Sequence, residues 1–265
     1  MNIFVYGMQS SGASLITFFL GQLPRSVCVV DVWSHVCLPG FDDAQATADH
    51  VIVKCVVTTR LDVADHLQAF GPDARVLVLR HPLHNYISLV RKHYRHESGA
   101  LDEKFRKLET VFQQRDAFDA VVVYEDFAFR RAHVVERLRA CSIPVQPAFY
   151  AFSRTQEDIR AFNETHSAWC RDTYEQAWGF GRLKGTAVQQ RKLFKYARAE
   201  ERAHVRQLCP SVYAFMEAHY QEHVPALPHL LITQGYDRML GSSRMLRRYP
   251  ILRRYGKRIR ALLRS

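Results

Sequence analysis

Ile3-Phe-Val-Tyr-Gly-Met-Gln-Ser-Ser-Gly-Ala-Ser-Leu-Ile-Thr-Phe-Phe-Leu20 is the stretch on which the reading of this chain turns. Ile3–Tyr6 is a short apolar run, and Leu15, Ile16, Phe18, Phe19, Leu20 and Leu23 recur at helical spacing. Between them lies a turn of small residues with glycines at 7 and 12. Strand, tight turn and helix together turn free backbone N–H groups and the positive end of a helix dipole toward whatever lies in front of the turn, and an anion suits that position.

The turn compares with the phosphate-binding pattern G-x-x-x-x-G-K-[ST]. Gly7 and Gly12 have the right separation, Ser14 supplies the final hydroxyl, and Gln9, Ser10 and Ser11 fill the loop. Ala13 stands where the lysine belongs. An amide cradle without that lysine favours a phosphate-type anion and disfavours nucleoside triphosphate chemistry.

Working outward, four more apolar runs read as strands: Ser26–Asp31, Val51–Val57, Arg75–Leu79 and Ala120–Tyr124. Near-continuous apolar character suggests strands covered on both faces. Helical patterns over 13–22, 61–69, 83–96, 102–115 and 126–140 separate them, with Asp126 read as the N-cap of the last. Alternating strands and helices imply a parallel sheet with right-handed crossovers, and ligands of such sheets bind beyond the carboxyl ends of the strands. After Pro147 the strand pattern stops. Residues 157–165 and 188–222 read as helices around a basic, glycine-bearing loop, Trp178–Gly185.

The 265 residues suffice for one sizeable α/β domain, assigned to 1–236. The net charge of +11 is a property of the end of the chain, 237–265: residues 238–265 carry nine arginines, one lysine and no acid. Without those ten, 27 basic side chains face 26 acidic ones, and a nucleic-acid partner is not expected. Met245, Tyr249, Leu252, Tyr255, Ile259 and Leu262 recur every three or four residues among the arginines, with Pro250 breaking the run. That pattern suits an anionic membrane surface or an acidic partner. Six cysteines without a C-x-x-C pair fit neither a disulfide framework nor a zinc site. Met1-Asn2 leads straight into a strand and no run approaches a membrane span, so a cytoplasmic protein, peripheral to the membrane at most, is expected.

A second stretch, Arg75-Val-Leu-Val-Leu-Arg80-His-Pro-Leu-His-Asn-Tyr-Ile-Ser88, turns the loop into a resemblance. An arginine ending a strand, a proline two residues on and a serine eight residues on is similar to the 3′-phosphate site of the PAPS-dependent sulfotransferases. Val121–Phe127 resembles that family's Y-E-D-L segment, with Tyr124 near the nucleotide, and Arg182-Leu-Lys184-Gly185 resembles its late basic loop. The resemblance covers about residues 3–140. It implies a P-loop-type three-layer sandwich with a mainly helical C-terminal part. The implied activity is transfer of a sulfuryl group from PAPS to a hydroxyl or amine of a saccharide, glycolipid or small molecule, releasing 3′,5′-ADP without an obligatory metal. Arg80 and Ser88 would hold the 3′-phosphate, and the loop the 5′-phosphosulfate.

The chain departs from the family at two points. Ser10 occupies the place of a basic residue before the S-G-T-[TS] stretch, and Val56 that of the catalytic histidine of cytosolic members. Lys54 matches a family lysine and is expected to offset charge on the leaving phosphate. Asp31, where tyrosylprotein and some carbohydrate sulfotransferases place a carboxylate, is the expected general base, with His35 in reserve. A P-loop phosphotransferase and a non-catalytic nucleotide-binding, membrane-peripheral protein are the alternatives.

Overall fold

The computed structural model describes residues 1–30, 41–177 and 197–223. Asp31, His35, Arg182, Lys184, Gly185 and the basic segment 237–265 therefore lie outside the described residues, as does the whole of the loop 178–185.

The chain alternates strand and helix: β1 (Asn2–Gly7), α1 (Ala13–Leu20), β2 (Ser26–Val29), α2 (Asp42–Thr47), β3 (His50–Val56), α3 (Val63–Phe70), β4 (Ala74–Leu79), α4 (Pro82–Val90), α5 (Leu101–Gln113) and β5 (Ala120–Val123). The described elements that follow are helical: α6 (Tyr124–Ala128), α7 (Ala132–Ala140), α8 (Gln156–His166), α9 (Ala168–Ala177), α10 (Ala199–Leu208) and α11 (Pro210–His223). The five strands form one all-parallel sheet in the order β2-β3-β1-β4-β5. No helix among the described residues is long and apolar enough to cross a membrane.

Period-two alternation splits the strand side chains between two cores. Phe4, Tyr6, Val53, Cys55, Leu77 and Leu79 join residues of α3, α4, α5, α10 and α11 on one face. Ile3, Val5, Ile52, Val76, Val78 and Val122 join α1, α7 and α8 on the other. Burial on both faces is the reason the strands read as continuous apolar runs instead of alternating ones.

Helices α2 and α9 lie where none was expected, the described part of the helix expected over 188–222 is divided into α10 and α11, and two further boundaries differ from the sequence reading. The helix expected over 83–96 ends at Val90 and gives way to a 3-10 turn, His93–His96. The helix expected over 126–140 is two helices separated at residues 129–131, where Arg130 adopts a left-handed φ of 54°. Asp126 does not cap it: it is buried inside α6, where its carboxylate accepts from His133 at 2.9 Å and His219 at 2.8 Å.

The edge strand β2 is closed by a side chain. Asn163 of α8 accepts from the Cys28 N–H at 2.8 Å and donates to the Cys28 carbonyl at 2.7 Å, copying a ladder partner. Arg154 reinforces the join by donating to the carbonyls of Gly21 and Ser26 at 2.9 and 3.0 Å. An unpaired strand edge buried under a helix would otherwise cost the full desolvation of its polar groups. Replacing Asn163 with Ala strands one donor and one acceptor on Cys28, each worth ~1–3 kcal/mol, and the unfolding free energy obtained from urea denaturation is expected to fall by the corresponding ~2–6 kcal/mol. A shift under ~0.5 kcal/mol, within the range of an ordinary surface substitution, contradicts that role.

Candidate functional site

Strand order creates the site before any side chain is considered. After β1 the chain turns toward β2 on one side of the sheet, whereas after β4 it turns toward β5 on the other. The connections leaving these adjacent strands diverge and open a crevice at their carboxyl ends, the usual ligand position in an open α/β sheet. The loop of residues 8–12 and Arg80 flank that crevice.

The loop is held in a left-handed path at two points, Ser10 (φ 62°) and Gly12 (φ 91°), the latter acting as N-cap of α1. Gly12 is required for a second reason. A methyl group there would overlap the Cδ2–Cε2 edge of the Tyr124 ring, which lies directly against the glycine. Within the turn, Ser11 N–H donates to the Met8 carbonyl at 3.1 Å and Ala13 N–H to the Ser11 hydroxyl at 3.3 Å. The amides of Gln9, Ser10, Gly12 and Ser14 meet no acceptor among the described residues. Together they make a concentrated patch of donors at a helix N-terminus whose first turn carries no acid.

Three cationic side chains reach this loop from three different elements. Lys54, from the end of β3 and 3% exposed, donates to the Ser14 hydroxyl at 3.1 Å. It shares a register row with Val5 and so faces α1. Arg80, just past β4 and 7% exposed, donates through Nη1 to the Ser10 carbonyl at 2.9 Å. Lys104, wholly buried on α5, donates to the Gln9 side-chain oxygen at 2.8 Å, the Arg95 carbonyl at 2.7 Å and the Ser98 hydroxyl at 3.0 Å. Asn85 of α4 adds a fourth tie, donating to the Gln9 carbonyl at 2.9 Å. Tyr94 OH lies 3.4 Å from the Ser10 hydroxyl.

Behind Arg80 sits a carboxylate. Glu125, fully buried on α6, is 4.0 Å from Arg80 Nε and accepts the His81 N–H at 3.2 Å. The guanidinium carbon is 5.5 Å from the centre of the Tyr124 ring. Burial pushes the Tyr124 hydroxyl above the usual phenol range, against the opposing pull of Arg80. From α11, Tyr220 lies beside Glu125, and burial together with that carboxylate raises its hydroxyl well above the ordinary value. His81 is the N-cap of α4: its Nδ1 accepts from Leu83 N–H at 3.3 Å, which leaves the Nε2 proton for Glu217 at 3.1 Å. Position 81, the N-cap of α4, is thus filled by an imidazole that acts as the capping acceptor.

Among the expected site residues, Gln9, Ser10, Ser11, Gly12, Ala13, Ser14, Lys54, Arg80 and Tyr124 come together at this one crevice. Ser88 is half-buried on α4 and makes no hydrogen bond to Arg80. Asp31, His35, Arg182, Lys184 and Gly185 lie outside the described residues. Lys104, Asn85, Tyr94 and Glu125 had no part in the sequence-based site. Lys104 did carry a signal, since it stands between Leu101, Phe105 and Leu108 on the apolar stripe of α5, where a charge needs a partner.

No protein-family model matches the chain, and comparison with curated proteins finds no match.

Burial pulls the Lys104 ammonium down to about 8, with Glu97 opposing. Between that value and the ordinary 10.5 of the unfolded chain, the unfolded state binds more protons, so this group's contribution to stability rises with pH. The wild-type stability minus that of Lys104→Met is expected to increase from pH 8 to pH 10, and the Lys104 ε-methylene resonance to titrate near pH 8. Titration of that resonance with the exposed lysines contradicts the assignment. In a separate test, Gly12→Ala should cost more in wild type than in Tyr124→Ala. The latter removes the overlapping ring and leaves only the backbone penalty of ~1–2 kcal/mol; equal costs would mean that the ring does not constrain the loop.

Proposed function

We propose that the chain is a PAPS-dependent sulfotransferase of P-loop type, passing a sulfuryl group to a hydroxyl or amine and releasing 3′,5′-ADP. The observation that carries this reading is the convergence of Lys54, Arg80 and Lys104 on a single glycine-bearing turn, in which the amides of Gln9, Ser10, Gly12 and Ser14 meet no acceptor among the described residues. A nucleotide with phosphate groups at both ends of its ribose suits a crevice with amide donors on one wall and a buried guanidinium on the other.

In the proposed reaction the acceptor oxygen or nitrogen attacks sulfur as the bond from sulfur to the 5′-phosphate oxygen breaks, and charge grows on that phosphate. Lys54 and the α1 amides are fixed donors for it, and fixed donors stabilise a developing charge without reorganising. Lys54, held at Ser14, supplies on the neighbouring strand the cation that Ala13 withholds from the loop. The Arg80 guanidinium, which has Glu125 and the Tyr124 ring beside it, is proposed to pair with the 3′-phosphate. The proton of the acceptor goes to the general base, for which Asp31 remains the proposed residue with His35 in reserve. Arg182, Lys184 and Gly185 are proposed to close over the nucleotide, and residues 238–265 to reach an anionic membrane surface.

Calorimetry against 3′,5′-ADP, ADP and ATP tests the reading. The 3′,5′-nucleotide is expected to bind at least tenfold more tightly than the others, with or without Mg²⁺. Arg80→Ala would leave Glu125 buried without its guanidinium, a loss of ~3–5 kcal/mol in stability, so Arg80→Lys is the more informative variant. It retains a charge beside Glu125 but loses the planar fork, and affinity for 3′,5′-ADP should drop about tenfold, ~1.4 kcal/mol. A preference for Mg-ATP would favour a phosphotransferase instead. Nucleotide binding without transfer of labelled sulfate from PAPS to any of a panel of acceptors would favour a non-catalytic protein.

A further inference from the structure

The segment Arg91-Lys-His-Tyr-Arg-His96 follows α4 and stands directly beside the loop. Five of its six side chains are exposed, and Tyr94 alone is half-buried. The segment is anchored from three directions. Tyr94 OH meets the Ser10 hydroxyl at 3.4 Å, Lys104 donates to the Arg95 carbonyl at 2.7 Å, and Thr59 N–H donates to the Ser98 carbonyl at 3.1 Å. The last contact brings the exposed Arg60 to the same rim. Nearby acids are largely engaged elsewhere: Asp62 pairs with Lys107, and Asp102 with His204 at 2.9 Å. Glu97, immediately after the segment, stands against Arg60, Arg91, Lys92 and Arg95, with His93 and His96 alongside.

The anchoring has a cost that the surrounding fold meets. A run of like charges would ordinarily spread apart in water, yet here a buried lysine is used to fix its backbone. Gly99, in the left-handed region at φ 117°, closes the turn against the Thr59 side chain, and any larger residue would collide with it. His93 and Tyr94 form an edge-to-face pair with centroids 5.1 Å apart, giving the rim an aromatic ridge between its charges. Arg91 and Lys92 make no side-chain hydrogen bond or ion pair among the described residues.

We propose that residues 91–96, with Arg60, form the acceptor-docking rim of this site, and that the acceptor is a short anionic oligosaccharide already bearing carboxylate or sulfate groups. The inference rests on the sulfotransferase reading, because only a group-transfer site at the loop makes its rim an acceptor surface. Contact with Ser10 puts the rim at the loop wall, where an acceptor must approach. Charge complementarity selects a polyanion, and the aromatic ridge suits the flat face of a sugar ring. The near balance of charge over residues 1–237 disfavours nucleic acid, which calls for a broader basic field.

The test uses the full chain in calorimetry with a heparin-derived hexasaccharide, an uncharged hexasaccharide and a single-stranded oligonucleotide, and separately with 3′,5′-ADP. The heparin fragment is expected to bind and the uncharged one not. Arg91→Glu combined with Lys92→Glu should weaken the heparin fragment at least tenfold while changing 3′,5′-ADP affinity less than twofold. Unchanged affinity for the heparin fragment would assign its binding to the arginines of 238–265 and overturn the proposal, as would equal or tighter binding of the oligonucleotide. Failure of 3′,5′-ADP to bind the wild-type chain is a different result, and it removes the sulfotransferase reading on which the rim depends.

Discussion

The hydrogen bond from the Arg80 guanidinium to the Ser10 carbonyl joins the ends of β1 and β4 where the chain paths diverge. At this switch point the β1–β4 ladder ends at Gly7 and Val78, and beyond it the two connections leave in opposite directions without further strand pairing. A buried cation strengthens it only if its own desolvation is met. Glu125, the Ser10 carbonyl and the face of Tyr124 all contribute to meeting that cost. The arrangement holds the loop open at a fixed distance from β4 and keeps a charge at the wall of the crevice.

Each irregularity of the loop has a counterpart elsewhere. Gly12 accepts a positive φ so that the chain can enter α1, and the space freed by its missing side chain is filled by Tyr124 from the end of β5. Ala13 leaves the loop without its own cation, and Lys54 supplies one from the neighbouring strand. Gln9, which has no charge, gathers Lys104, Ser98 and Asn85 through its side chain and carbonyl. Charges fixed in this way, in surroundings poorer in water than the surface, lose little to the screening that weakens exposed charges.

Helix α11 connects this wall to the rest of the molecule. Glu217 meets His81, Tyr220 meets Glu125 and His219 meets Asp126, so one helix touches the residues following both β4 and β5. Glu109 of α5 seats the helix by accepting from the Ser211 and Val212 amides. Burial pushes the Asp126 carboxyl up, but the hydrogen bonds and charges of His219 and His133 outweigh it and hold it below the usual carboxylate range. That contribution is present above the ordinary carboxylate pKa and disappears as acid protonates the group.

The strands, most of the helices, parallel pairing and the convergence of the loop with Arg80, Lys54 and Tyr124 at strand ends were legible in the sequence, whereas α2 and α9 were not. The signals behind them are local: apolar runs, glycine spacing and the residue that ends each strand. Helix limits near 90 and 130 were not legible, since the breaks depend on what Tyr94 and Arg130 meet in the fold. The capping role assigned to Asp126 failed for the same reason, its partners lying seven and ninety-three residues away. Lys104 showed as a charge on an apolar stripe, but only tertiary packing could name Gln9 as its acceptor. Sequence alone determined which segments are buried, because hydrophobic periodicity is written residue by residue. Tertiary structure decided which buried polar groups meet, because a charge taken out of water is tolerated only where distant parts of the chain supply its partners.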